Sequence, residues 1–120
     1  MAATESSASA VPQIVSSSPS ADRAESPAAI GGNVGAVWRG WSTWTPANGT
    51  FNLQIPWNVI GTDSTVVITA SEIDANGHRF VGSAAFQVSS IAPGDGVVTF
   101  KINIGWGSPL AMRTDILVLN

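Results

Sequence analysis

The sequence predicts an all-β fold: a small antiparallel β-sandwich (jelly-roll or Ig-like) or barrel of about six to seven strands, with an extended N-terminal arm. Three observations lead to this prediction. Apolar and polar residues alternate strictly over Val97–Trp106, as they do in a half-buried strand. Similar segments are separated by turn signals rich in Gly, Asn, Asp and Pro, at a spacing typical of sandwiches. No stretch of the chain shows convincing helical spacing of its apolar residues.

The chain divides near Val34 into two parts of different composition. Residues 1–33 consist mostly of Ala, Ser and Pro, whereas all five Trp and all four Phe lie in residues 34–120. We therefore expect a low-complexity arm over 1–33 and the β-sandwich domain over 34–120, because only the second part holds enough apolar surface for a core. Within the arm, Val11–Val15 is the one extended apolar run that could add to a sheet edge.

Two turns determine the predicted strand pairing. Asn48-Gly49 is the preferred pair for a tight type I′ hairpin turn, and this register places Trp44 opposite Leu53. The second hairpin turns at 74–78, where Gly77 suits the left-handed position of a type I turn with a bulge. The predicted strands are Val37–Thr45, Thr50–Trp57, Thr65–Ile73, Arg79–Ser89, Val97–Trp106 and Met112–Leu119.

Alternation also assigns an inward face to each of the first five predicted strands. The last run, 116–119, is apolar on both faces, which predicts either a strand covered on both sides or a subunit contact. Four of the five tryptophans fall on inward faces and are expected in the core: Trp38, Trp44, Trp57 and Trp106. The inward side chains of the second hairpin are expected to be Val66, Ile68, Ala70, Phe80, Ala84, Phe86 and Val88.

Composition and charge exclude several classes of protein. The chain has no Cys, one His and only five basic residues, with a net charge of −3. Zinc sites and disulfide frameworks are therefore not expected, and neither is binding to nucleic acid through its phosphates. No segment reaches the roughly 20 apolar residues that span a membrane, and no signal peptide is evident, so we expect synthesis in the cytoplasm.

Catalysis would have to use His78, the single histidine, with Asp74 across the turn. A polar hairpin tip, with Asp74 bonded to the turn backbone, is the favoured interpretation. Asp74-x-Asn76-Gly77 lacks the glycine at position six and the glutamate at position twelve of a calcium loop. We therefore predict no catalytic residue, no metal site and no cofactor.

One tryptophan differs from the others because it falls on an outward face with polar neighbours. An aromatic ring beside a cation and two amides is typical of the centre of a protein–protein interface, and it could also stack a sugar ring. The predicted binding surface consists of Trp41, Arg39, Thr43, Asn52, Gln54 and Pro56.

Scarce charge, a C-terminal strand apolar on both faces and an arm with one β-prone segment together indicate self-association. The leading hypothesis is a non-catalytic structural protein that forms a homo-oligomer, such as a virion, tail or coat component. It would associate through the Trp41 face and the terminal strand, with residues 1–33 reaching a neighbour. The alternative is a carbohydrate-binding module, a lectin in which oligomerisation provides multivalency.

Overall fold

A computed structural model describes residues 14–16 and 32–120 of the chain. Within these residues eight strands are found and no helix, so no helix is present that could cross a membrane. The strands are β1 Ile14–Ser16, β2 Val37–Ala47, β3 Gly49–Pro56, β4 Thr65–Ile73, β5 Arg79–Phe80, β6 Ala85–Gly94, β7 Val97–Gly105 and β8 Leu110–Leu119.

The strands form two four-stranded sheets, which confirms the predicted all-β sandwich. One sheet has the order β1-β3-β7-β6 and is called the β3 sheet below; the other has the order β2-β8-β4-β5 and is called the β8 sheet. All neighbouring strands are antiparallel except β1 and β3, which run parallel. Each sheet buries one face against the other, because most of the alternate, inward residues of its long strands are apolar.

The core lies between the two sheets. β7 contributes four deeply buried residues to it, Val98, Phe100, Ile102 and Ile104, all on its inward face as predicted. From the β8 sheet, Trp44 meets Phe100 edge to face, with ring centroids 6.4 Å apart. The Trp44 indole Nε1–H donates to Thr114 Oγ1 at 2.9 Å, so this buried polar pair is satisfied.

The predicted hairpin between β2 and β3 is wrong. β2 pairs with β8, where Trp44 lies opposite Met112, and β3 pairs with β7, where Leu53 lies opposite Phe100. The chain crosses from one sheet to the other at a corner, and Gly49 there adopts a φ of +85°. The positive φ that favours Asn-Gly in a hairpin is equally useful at a corner, and this corner lets the two apolar faces pack against each other.

The predicted turn after β4 is confirmed. Gly77 has a φ of +80°, and the Asp74 amide donates to the His78 carbonyl at 2.9 Å. The paired segment after the turn is short, since β5 covers only Arg79–Phe80.

The second half of the predicted strand Arg79–Ser89 belongs to the other sheet. After β5 the chain leaves the β8 sheet and returns as β6, which pairs with β7 at the edge of the β3 sheet. Phe86 and Val88 pack against the core as expected, but Phe80 is 44% exposed because the chain departs directly after it. The prediction of one continuous strand with an inward Phe80 is therefore wrong.

The tryptophan prediction is correct for three of its four residues. Trp44 is buried, and Trp38 and Trp57 are partly buried against the core. Trp106 is 46% exposed, because β7 ends one residue earlier, where Gly105 pairs with the first residue of β6. The alternating pattern continues past the end of the neighbouring strand, so Trp106 has no sheet partner to cover it.

The terminal strand β8 is an inner strand of its sheet, between β2 and β4. Ile116 and Val118 are buried in the core, whereas Leu117 and Leu119 lie half-buried on the outer face. The apolar run is thus covered on its inner face, and no described element covers its outer face.

The arm contributes one described strand. Ile14–Ser16 pairs in parallel with residues 52–54 of β3, at the edge of the β3 sheet. The β-prone segment Val11–Val15 therefore adds a strand to a sheet edge in this structure over its described residues. The rest of residues 1–31 lies outside the described part of the chain.

Candidate functional site

The six residues of the predicted binding surface are divided between the two sheets. On β2 the outward residues are Arg39, Trp41 and Thr43, and on β3 they are Asn52, Gln54 and Pro56. Because the inward faces of β2 and β3 meet in the core, these two groups point away from each other. The structure brings together the members of each group and does not join the two groups within one chain.

Trp41 acquires neighbours that the sequence analysis did not assign to it. In the β8 sheet it lies opposite Asp115, and Arg113 stands two residues away on the same outer face of β8. The guanidinium carbon of Arg113 lies 5.0 Å from the centre of the Trp41 ring, a cation–π arrangement. One face of the indole is therefore already covered by a cation.

Asp115 is the centre of a charge network on this outer face. Its two carboxylate oxygens accept from Nε and Nη2 of Arg113, both at 2.9 Å. Nη1 of Arg79, on β5, is 3.4 Å from the same carboxylate. The hydrogen bonds to Asp115 raise the pKa of Arg113 above its ordinary value. The bidentate pair holds the Arg113 guanidinium in place over Trp41.

The outer face of the β8 sheet collects most of the positive charge of the folded domain. Residues 34–120 contain four basic side chains, and three of them lie on this sheet: Arg39, Arg79 and Arg113. Asp115 is the one carboxylate among the outward residues of the four strands of this sheet, all of which the structure describes. In a domain with nearly balanced charge, this face is locally basic.

An apolar patch adjoins the charged network. Val67 on β4 lies opposite Leu117 on β8, which in turn lies opposite Arg39 on β2. Val67 is 45% exposed and Leu117 is half-buried, and no described element packs over them. The three strands thus present a band with apolar side chains at one end and Trp41 with its arginines at the other. We call this band the outer β8 face.

The turn residues Asp74 and His78 are arranged as a hairpin tip. Oδ1 of Asp74 accepts from the backbone amides of Asn76 and His78, both at 2.9 Å. The imidazole Nδ1 of His78 is 3.7 Å from Asp74 Oδ2, and both side chains are exposed. These bonds serve the turn itself. Across residues 32–120, no three side chains of the metal-binding types stand close enough together to hold an ion.

Comparison of the chain with protein-family models, with curated proteins and with solved structures gives no match.

Sequence reasoning missed Arg113 and Asp115 as neighbours of Trp41. Both lie at outward positions of a strand whose place in the chain was predicted, and the period of two puts them on one face. Their position beside Trp41 could not be predicted, because β2 was expected to pair with β3. The usable signal is the spacing of two residues between Arg113 and Asp115, which places opposite charges side by side on one strand face.

The Asp74 turn gives a pH-dependent prediction. The pKa of this carboxyl is lowered from 3.8, mainly because the His78 amide donates to the carboxylate, with a further contribution from Asn76. A lowered folded-state pKa stabilises the fold above the unfolded pKa, and this contribution is lost as pH falls through the folded value. Carbon NMR should therefore place the Asp74 midpoint below 3.8, with loss of amide protection at residues 76 and 78 on protonation. A midpoint at or above that value would contradict these hydrogen bonds.

Proposed function

We propose that this protein is a non-catalytic structural subunit that self-associates through the outer β8 face, as components of virions, tails and other protein coats do. The observation that carries the proposal is the apolar pair formed by exposed Val67 and half-buried Leu117, which lie opposite each other beside Trp41 with no described element packed over them. An exposed apolar patch with a polar rim is typical of an interaction site.

The chemistry of this face suits a protein partner. Trp and Arg are enriched in interfaces, and here Arg113 is fixed over Trp41 by Asp115 instead of remaining mobile. Holding these side chains in place before association lowers the entropy that binding must overcome. Burying a Val or Leu side chain stabilises by about 1.5–3 kcal/mol, and a two-fold contact uses each residue twice.

The small net charge of the folded domain permits a second copy of this chain as the partner, although the arginines of the outer β8 face repel each other locally. Residues 34–120 carry four basic and five acidic side chains, so two copies have little net repulsion to overcome. The outer edge of β2, eleven residues long, also has no strand beside it within the described part of the chain. Arg39 is the one charged residue of β2, so little prevents a neighbouring sheet from approaching.

The N-terminal arm is the second element of the proposal. β1 shows that three residues of the arm can extend the edge of the β3 sheet. The same strand added to β3 of a neighbouring copy would link two subunits by backbone hydrogen bonds. Removal of residues 1–33 is therefore expected to weaken the assembly but to leave the contacts made by the outer β8 face intact.

The test is the oligomeric state of variants of the outer β8 face. Light scattering and sedimentation should show wild-type oligomers, and Leu117→Glu should weaken association at least about tenfold, since about 1.4 kcal/mol corresponds to that factor. Val67→Glu should act in the same way.

Val81→Glu is the matched control, because Val81 is fully exposed in the loop after β5, outside the outer β8 face. It should associate as wild type does, and circular dichroism should show that all variants stay folded. A wild-type protein that is monomeric at high concentration, or a Leu117→Glu variant that associates unchanged, would refute the proposal.

The carbohydrate-binding alternative retains only part of its predicted site on this face. Arg39, Trp41 and Thr43 are together, whereas the amides of Asn52 and Gln54 lie on the other sheet. A glycan array with wild type and Trp41→Ala separates the two functions. Sugar binding by a monomeric protein that is lost in Trp41→Ala would favour the lectin.

A further inference from the structure

A cleft opens at one end of the sandwich, near the end of β4, the start of β6 and the end of β7. Its volume is about 270 Å³, and two exposed aromatic side chains, Phe80 and Trp106, line it. The other lining residues are Glu72, Gly82, Ser83, Ala84 and Leu110. Among these described residues Glu72 alone is charged, so the cleft combines apolar walls with a single negative charge.

Glu72 lies on the inward side of β4, where a charged residue is unusual. It follows Val66, Ile68 and Ala70 in the alternation of this strand, and it lies opposite buried Met112 on β8. Its carboxylate forms no ion pair or hydrogen bond within the described part of the chain. Carboxylates drawn into the interior normally have a cationic partner. The cleft therefore offers a half-buried negative charge whose partner is not among residues 32–120.

The loop after β5 brings the Glu72 carboxylate and the Phe80 ring to the same point. Phe80 lies directly opposite Glu72 in the β4–β5 ladder, so both side chains stand on one face of the sheet. A Cβ atom built on Gly82 would lie 2.5 Å from Glu72 Oε1 and 3.1 Å from Phe80 Cε2. The bare backbone of Gly82 therefore lets the carboxylate and the ring stand close together.

Trp106 forms another wall of the cleft. It comes directly after β7 and continues the alternation of the buried residues Ile102 and Ile104. Its amide donates to the Ile104 carbonyl at 2.9 Å, and its carbonyl accepts from Asn48 Nδ2 at 3.2 Å. The exposed indole is thus presented from a backbone that is held on both sides, which lowers the entropy that binding must overcome.

The chemistry of the cleft distinguishes between classes of cation. A metal ion needs several ligands, and no three side chains of the metal-binding types stand together in residues 32–120. Primary ammonium and guanidinium groups bring several N–H donors, whereas Glu72 and Ser83 are the only side-chain acceptors among the described lining residues. A quaternary ammonium has no N–H donor, and its charge is attracted to the faces of aromatic rings.

We propose that this cleft binds a quaternary ammonium cation. The Glu72 carboxylate balances the charge, and the rings of Phe80 and Trp106 cover the methyl groups. An apolar cavity of about 150 Å³ admits a benzene ring, so the cleft has room for a trimethylammonium group, which is of similar size. This inference goes beyond the proposed self-association, because Glu72 lies on the inward side of the sheet and not on the outer β8 face.

Three small ligands test the proposal on the full-length chain: choline, ethanolamine, and the dimethylbutanol in which a carbon atom replaces the nitrogen of choline. Ethanolamine keeps the charge without the methyl groups, and the dimethylbutanol keeps the methyl groups without the charge. Saturation-transfer NMR titrations work for monomers and oligomers alike. They should show that choline binds at least about tenfold more tightly than either analogue.

Substitutions in the cleft test the role of each wall. Glu72→Gln should weaken choline binding at least about tenfold, because the amide keeps the shape of the carboxylate and removes its charge. Trp106→Ala should weaken it about fivefold, as for the loss of one cation–π contact. Gly82→Ala should also weaken binding, because the added methyl group displaces the carboxylate.

Asp95→Asn is the matched control for Glu72→Gln. It removes the same charge from an exposed turn at the opposite end of β7 and should bind choline as the wild type does. Circular dichroism should show that all variants stay folded.

Phosphatidylcholine vesicles distinguish the two sources of a trimethylammonium group. Sedimentation of the protein with these vesicles, lost in Glu72→Gln, assigns the ligand to a lipid headgroup. Binding of free choline without binding to vesicles assigns the ligand to a small molecule.

Three results would overturn the proposal. The first is no binding of either free choline or the vesicles. The second is equal affinity for choline and one of its two analogues, which would show that the cleft selects only for charge or only for apolar surface. The third is binding that Glu72→Gln leaves unchanged. None of these results depends on the oligomeric state, so this proposal and the proposed self-association fail separately.

Discussion

Replacing Phe100 with alanine is expected to lower the free energy of unfolding by about 3–5 kcal/mol, the usual range for a buried Phe. Phe100 is 1% exposed at the centre of the core and meets the Trp44 ring edge to face. It also lies opposite Leu53 on β3, so its ring contacts both layers of the sandwich. Its removal leaves a cavity that neither rigid sheet can close.

The effect is large relative to the total stability, because domains of this size are typically stable by only about 5–15 kcal/mol. Urea denaturation followed by tryptophan fluorescence measures the difference. Phe80→Ala is the matched control: the same atoms are removed from a ring that is 44% exposed, and we expect a loss of less than about 1 kcal/mol. Equal midpoints for the two variants would show that Phe100 is not a core residue.

The contrast between Phe100 and Phe80 shows what the sequence could predict. Alternation identified the inward face of β7 correctly, since a period of two is a local property of any half-buried strand. Phe80 has an equally suitable position in the pattern, but its burial depends on the chain continuing in the same sheet. The chain instead leaves the β8 sheet after Phe80, and no local pattern encodes that departure.

The corner at Gly49 shows why strand pairing was less predictable than strand position. Asn-Gly indicates a residue with positive φ, and Gly49 has one. A hairpin and a corner both meet this requirement, and they differ only in whether the next strand returns beside β2 or crosses over the core. That choice depends on β7 and β8, which come much later in the chain.

The same ambiguity divided the predicted binding surface. Trp41 was correctly placed on an outward face, because that follows from its own strand. The amides of Asn52 and Gln54 were placed beside it only through the hairpin. Arg113 and Asp115 stand there instead, brought to Trp41 by the pairing of β2 with β8. The face on which a side chain lies was thus predictable from its own strand. The side chains beside it on the neighbouring strand were not.

Asp115→Asn is expected to lower the free energy of unfolding by about 1–2 kcal/mol, as for the loss of a charge-assisted hydrogen-bonded pair. The amide keeps the shape of the carboxylate but offers a single acceptor oxygen to Arg113 and no charge to Arg79. The Arg113 and Asp115 side chains are each less than one-fifth exposed, so water replaces the lost partner only in part. Asp95→Asn, in the exposed turn between β6 and β7, is the control and should be close to wild type.

The same substitution tests the charge balance of the outer β8 face. Without Asp115 the face carries three arginines and no carboxylate, so two copies that meet through it repel each other more strongly than in the wild type. Association should weaken at low ionic strength and recover partly in salt, because the screening length falls from about 8 Å in physiological salt to about 3 Å at 1 M.

Leu117→Glu separates this repulsion from the loss of apolar contact. This substitution adds a negative charge to a face that already carries three arginines. Charge repulsion therefore cannot explain weaker association of the Leu117→Glu variant. Because the cause is the loss of apolar contact, the weaker association should persist at high salt. If Asp115→Asn lowers the stability of the fold but leaves association unchanged at every salt concentration, Asp115 contributes to folding and not to association. The interface must then lie elsewhere. If the interface lies at the outer β8 face, salt should restore the association of Asp115→Asn. Salt should not restore the association of Leu117→Glu.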